Sequence, residues 1–191
     1  MGHGGSNAAK PAEVAVVDVN KQYLVTNLPV TAQPEALEID EKNDRIFANI
    51  ADAGQVAVID GKTHSMSATW TLKSAKGNTP LAYDQADDVV VIGCREPAKI
   101  IALDAGQGSE LSILSSSAGA DDLFLDRTAR RACLNSGEGA IDSVELLAGG
   151  ILRPVSVTHT VTGAKTGLLD PASGLLYIGI PGTAASAAIR I

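Results

Sequence analysis

The chain has 191 residues, of which 45% are hydrophobic, and it carries a formal charge of -7. That length and apolar content exclude a disordered chain and allow one sizeable core or a short repeat array. The acidic balance argues against a nucleic-acid partner, whose phosphates are held largely by Lys and Arg, and no apolar run reaches the roughly 18 residues needed to span a membrane.

The N-terminal "MGHGGSNAAKPAEV" lacks the basic and apolar regions of a secretory signal peptide. "EVAVVD" and "YLVTNLP" follow as two short strands. A longer pattern then begins. "PEALEIDEKNDRIFAN" at 34 to 49 is an apolar run, an Asp, a polar turn and a second apolar run, and it recurs as "PLAYDQADDVVVIG" at 80, "DLFLDRTARRACLN" at 122 and "GLLDPASGLLYIG" at 167. The anchoring acids Asp40, Asp84, Asp126 and Asp170 are 44, 42 and 44 residues apart, and nine residues after each stands Asn49, Gly93, Asn135 or Gly179. Such a fixed period marks a repeat architecture.

A third apolar run completes each hairpin: "QVAVID" ending at Asp60, "KIIALD" ending at Asp104 and "IDSVEL" at 141 to 146, with Asp18 closing the same run one period earlier. Fourth runs are expected at "ATWTL", "LSIL" and "PVSVTHT". The runs are short, β-branched and bounded by Gly, Asp, Asn or Pro, so they are strands, not helices. Four strands per period of 42 to 44 residues predict an all-β fold of four-stranded antiparallel propeller blades, with about four blades' worth of sequence. The expected division is one propeller domain over 1 to 191: a partial blade at 1 to 30, blades at 31 to 74, 75 to 117 and 118 to 160, and a partial blade at 161 to 191. The chain then forms either part of a larger ring or a small ring closed by its own terminal strands. An open arc would leave edges and apolar faces available for self-association. The anchoring acids are expected to be structural, each closing an Asx-type turn.

"RIFANIADAGQVAVID", "VVVIGCREPAKIIALD", "DDLFLDRTARRACLNSGEG" and "GAKTGLLDPASGLLYIG" together resemble the YVTN-type β-propeller repeat family, lactonase-like and exported bacterial propellers included. The resemblance spans residues 13 to 191. "YLVTN" at 23 to 27 matches the eponymous letters by coincidence, because it falls in the fourth-strand register. The resemblance implies a periplasmic or secreted protein and a ring of about seven blades, of which this chain is the C-terminal portion.

Function has to come from a site. Five positions before each anchoring Asp stand Glu35, Thr79, Asp121 and Lys165, expected at the mouth of the central channel. With Asp122 and Asn78 they could bind a polar ligand or an oxygen-ligated cation such as Ca²⁺. The favoured expectation is a non-catalytic binding or scaffold protein that offers this mouth and its blade loops to a small ligand or a protein, with no cofactor. The alternative is a lactonase-like hydrolase whose channel carboxylates hold a divalent cation. His3, His64 and His159 have no metal-ligand spacing, and Cys94 and Cys133 form neither a disulfide framework nor a metal motif; both are expected to be half-buried strand residues. Trp70 is expected in packing, and Arg127, Arg130 and Arg131 in a solvated turn.

Overall fold

Alternation is the rule that builds this molecule. In "VVVIGC" every residue from Val89 to Cys94 is buried, and the run serves two interfaces at once. Val90, Ile92 and Cys94 point to one neighbouring sheet, Val89 and Val91 to the other. A strand buried on both faces therefore reads as a continuous apolar run, and a strand at an outer edge reads as an alternating one. The computed structural model describes residues 2 to 3, 11 to 183 and 186 to 190.

Eighteen described strands form five antiparallel sheets. The first holds β1 (Gly2–His3), β2 (Glu13–Asp18) and β3 (Tyr23–Pro29). The second holds β4 (Pro34–Asp40), β5 (Arg45–Ile50), β6 (Gln55–Asp60) and β7 (Ser65–Thr71). The third holds β8 (Lys76–Asp84), β9 (Val89–Glu96), β10 (Ala98–Asp104) and β11 (Glu110–Ser115). The fourth holds β12 (Ala120–Asp126), β13 (Arg131–Ser136), β14 (Ala140–Leu147) and β15 (Ile151–His159), and the fifth β16 (Gly167–Asp170), β17 (Leu175–Thr183) and β18 (Ser186–Arg190). Each sheet is a meander, as expected of propeller blades. "YLVTN" lies in β3, at the sheet edge, in fourth-strand register. The fourth strands begin earlier than their apolar cores suggest, at Ser65, Glu110 and Ile151, because an edge strand pairs along one side only and needs few apolar residues.

Sheets pack face to face in sequence order. Phe47, Val56 and Trp70 of the second meet Leu81, Tyr83 and Ile101 of the third. Val91 and Ile100 of the third meet Leu123, Leu125 and Leu134 of the fourth. Thinner contacts join Val14 and Leu28 to Ile59, and Ile141 to Ala164 and Ile178. Substantial contacts link only successive sheets, so among the described residues the stack is an open arc and not a closed ring.

The open ends are apolar. Leu168 and Ile189 on the fifth sheet are 65% and 73% exposed, and Val17 on the first is 51% exposed. Ile39 is also exposed: its side of β4 faces the first sheet, in which the described residues inward of β2 are the two of β1.

The turns repeat as regularly as the strands. Asp18, Asp60, Asp104 and Asp126 each accept backbone N–H bonds from the residues two and three positions on, at 2.8 to 3.0 Å, and Asp170 does so from Ala172. Four residues after each anchor the chain turns left-handed: Gln22, Asp44, His64, Asp88, Gly108, Arg130 and Gly174 all have positive φ.

Asp40 and Asp84 depart from this pattern. Both are buried, and both hold an arginine. Arg45 binds Asp40 at 2.6 Å, Asp88 of the next sheet at 2.5 Å and the Ala105 carbonyl. Arg130 reaches back from the fourth sheet to Asp84 at 2.5 Å and to Asp87. The basic turn is therefore no solvated loop: Arg130 and Arg127, which donates to the Tyr83 carbonyl at 3.2 Å, both tie the fourth sheet to the third. Arg127 and Arg131 are nevertheless exposed, as expected, and only Arg130 is half-buried.

Candidate functional site

The inner strands β4, β8, β12 and β16 line the concave side of the arc, and their starts form the expected channel mouth. Three of the four ring positions come together there. Asp121 is the hub: its Oδ1 accepts from Lys165 Nζ of the fifth sheet at 3.0 Å and from an Arg95 Nη of the third sheet at 2.8 Å. Arg95 Nε also donates to the Ala120 carbonyl, which receives the Thr79 hydroxyl at 2.7 Å. Thr79, Asp121, Lys165 and Arg95 thus join three sheets across the mouth. Glu35 stands apart, with its carboxylate 3.5 Å from the Gln33 amide.

Asp122 follows an irregularity in the β12–β13 register and engages the backbone of the same neighbouring segment that supplies Lys165. Its Oδ2 accepts the Gly167 N–H at 2.9 Å. Burial pushes its carboxyl above the ordinary value, and neighbouring Asp121 adds to the rise, while the Gly167 N–H and Lys165 act against it. Asn78 is buried between sheets, donating to Asn49 Oδ1 and to the Gln55 carbonyl at 2.8 Å each. It is a packing residue of the second and third sheets.

A cation of the Ca²⁺ type needs six to eight oxygens converging on one point. Asp121 is held by two cations, Asp122 by a backbone N–H and Glu35 lies apart, so these three carboxylates offer no shared centre. No group of three or more His, Cys, Asp or Glu side chains suited to a metal occurs among the described residues. The cysteines are also structural. Cys94 is fully buried, more than expected, and burial with the charge of Glu110 lifts its thiol to about 12. Cys133 is half-buried, 3.6 Å from the Ser143 hydroxyl.

Arg95 was not foreseen from sequence. It sits near the end of β9, two residues after Gly93, and its long side chain reaches the mouth from a strand that is not the innermost. A second feature missed from sequence lies further along the inner strands. Glu38, Ala82, Phe124, Leu125 and Leu169, with Arg127, surround a cavity of about 200 Å³ on the concave side. Burial pushes the Glu38 carboxyl above its ordinary value, with Arg127 acting in the opposite direction.

No helix among the described residues is long and apolar enough to cross a membrane. No protein-family model and no curated protein sequence matches the chain. Solved structures do. The chain is similar to Kuenenia stuttgartiensis hydrazine synthase, with a TM-score of 0.74 and 14% identity over 87% of this chain and 49% of that one. It is also similar to a chain of the mitotic checkpoint complex, with a TM-score of 0.68 and 12% identity over 81% of this chain and 48% of that one. The chain spans about half the length of each, and at such identities the likeness is one of fold: four-stranded antiparallel sheets stacked as in a propeller.

Proposed function

We propose that the chain is a non-catalytic binding or scaffold protein of the propeller type, which offers its channel mouth and sheet ends to a small ligand or a protein partner. The observation that carries this reading is the double engagement of Asp121 by Lys165 and Arg95. Both cations engage Asp121 Oδ1, so the carboxylate serves first as a tie between three sheets, its charge already balanced by a lysine and an arginine. All three groups are partly exposed, so the pairing contributes at most ~1 kcal/mol, and a charged partner can displace it. The similarity to a chain of a protein complex is in keeping with a protein partner. The likeness to YVTN-type propellers belongs to this proposal, and so does a periplasmic or secreted location, which rests on that likeness.

The exposed apolar faces at the two ends complete the reading. Both faces expose apolar side chains, so a second copy can seat its fifth sheet on the first sheet of its neighbour. Such a contact is head-to-tail, and it gives a ring or an open chain of copies.

A calcium titration followed by thermal unfolding and by hydrolysis of a simple lactone tests the catalytic side. The reading predicts no rise in melting temperature at millimolar Ca²⁺ and no turnover. A rise or a turnover that disappears in Asp121→Asn would replace it with a metal-dependent hydrolase.

A further inference from the structure

The cavity on the inner strands holds two opposite charges that do not meet. Glu38 comes from β4 of the second sheet and Arg127 from the turn after β12 of the fourth, and both line the same space of about 200 Å³. Glu38 makes no ion pair among the described residues, although it is half-buried. A half-buried carboxylate without a cation is costly unless something pairs with it. Arg127 directs one Nη to the Tyr83 carbonyl at 3.2 Å, which leaves other guanidinium donors unused. Between them the walls are apolar: Ala82, Phe124, Leu125 and Leu169.

We propose that this cavity binds a small zwitterion with an apolar side chain, of the α-amino-acid class, its ammonium on Glu38, its carboxylate on Arg127 and its side chain against Phe124 and Leu169. Each part of the ligand answers a feature of the site. A guanidinium fork matches a carboxylate through two parallel N–H bonds. An unpaired carboxylate asks for a cation, and an aromatic and aliphatic wall asks for an apolar body. Size sets the class: 200 Å³ lies below the ~300–1,000 Å³ of pockets for larger ligands. A cation alone would leave Arg127 unanswered, and an anion alone would bury Glu38 unpaired. The site is three residues along the inner strands from the Asp121 mouth, ~10 Å away, so it stands or falls independently of the proposed function.

The test is isothermal titration calorimetry of the full chain with L-leucine and, separately, with L-phenylalanine. Saturable binding in the micromolar to millimolar range is expected for at least one of them. Isoamylamine and isocaproate, which carry one charge each, should bind at least tenfold more weakly. Glu38→Gln and Arg127→Gln should each weaken binding by about 10- to 100-fold, the loss of one charge-assisted contact, with circular dichroism unchanged. The proposal is overturned if neither amino acid gives saturable heat at millimolar concentration to the folded protein. It is equally overturned if both variants bind as the parent does.

Discussion

Arg45 of the second sheet donates to Asp88 of the third at 2.5 Å while it holds Asp40 of its own sheet at 2.6 Å. One guanidinium therefore spans a seam between two repeats, lying over the Phe47 ring with 5.2 Å to its centroid. Asp88 in turn accepts the Tyr83 hydroxyl at 2.8 Å, and Tyr83 packs on Phe47. The polar bridge and the aromatic core of this interface are thus one assembly. Arg45→Ala would leave the Asp40 carboxylate buried and without its cation, which costs about 3 kcal/mol. Arg45→Lys, which keeps the charge and loses the fork, should cost less. Urea unfolding measured at neutral pH checks both.

The same pair sets an acid response. Although burial alone would raise it, the Asp40 carboxyl is held below its ordinary value of 3.8 by hydrogen bonds from Asn43 and Arg45 and by the Arg45 charge. The folded state therefore binds the Asp40 proton less readily than the unfolded chain, and this contribution to stability is complete above about pH 5 and is lost as pH falls through the lowered value. In Arg45→Ala burial is no longer outweighed, and the folded state tolerates protonation. The gap in stability between parent and variant should be widest near pH 7 and should narrow below about pH 4. A gap independent of pH would mean that Arg45 acts through packing alone.

Gly108 follows Asp104 by four residues, with φ of +70°, and a Cβ built there would lie 2.1 Å from the Trp70 indole. The turn of the third sheet rests directly on the outer-strand tryptophan of the second. Gly108→Ala combines a left-handed penalty of ~1–2 kcal/mol with an overlap that displaces Trp70, itself only 9% exposed. A loss of 3 kcal/mol or more is expected, together with a red shift of the emission from Trp70, the single tryptophan.

His64 stands at the equivalent turn position of the second sheet with φ of +52°. A glycine there relieves the left-handed strain and removes no hydrogen bond. His64→Gly should stabilise the chain by about 0.5–1 kcal/mol, or ~1–4 °C in melting temperature.

The architecture was legible because its signals are local and periodic. Asp40, Asp84, Asp126 and Asp170 mark equivalent turns, and the apolar runs between them have strand length. The outer sheets show the same phase: "EVAVVD" and "YLVTNLP" are β2 and β3. The site was legible only in part. Thr79, Asp121 and Lys165 do converge, because position within an inner strand fixes height along the channel. Glu35 does not join them: its carboxylate stays on its own strand beside the Gln33 amide. Arg95, Arg127 and Arg130 escaped because their partners lie 25 to 46 residues away, across sheet interfaces. A cluster of basic residues in a turn looks solvated until the neighbouring repeat brings Asp84 and Asp87 beside it.

The open arc is the claim from which the exposed ends and the proposed partners follow, and solution mass tests it most directly. Size-exclusion chromatography with light scattering should give a mass above 19.5 kDa that rises with protein concentration. Leu168→Glu with Ile189→Glu, which puts charge on the end face of the fifth sheet, should return it to a monomer. A single compact species of 19.5 kDa at every concentration, unaffected by those substitutions, would contradict the account.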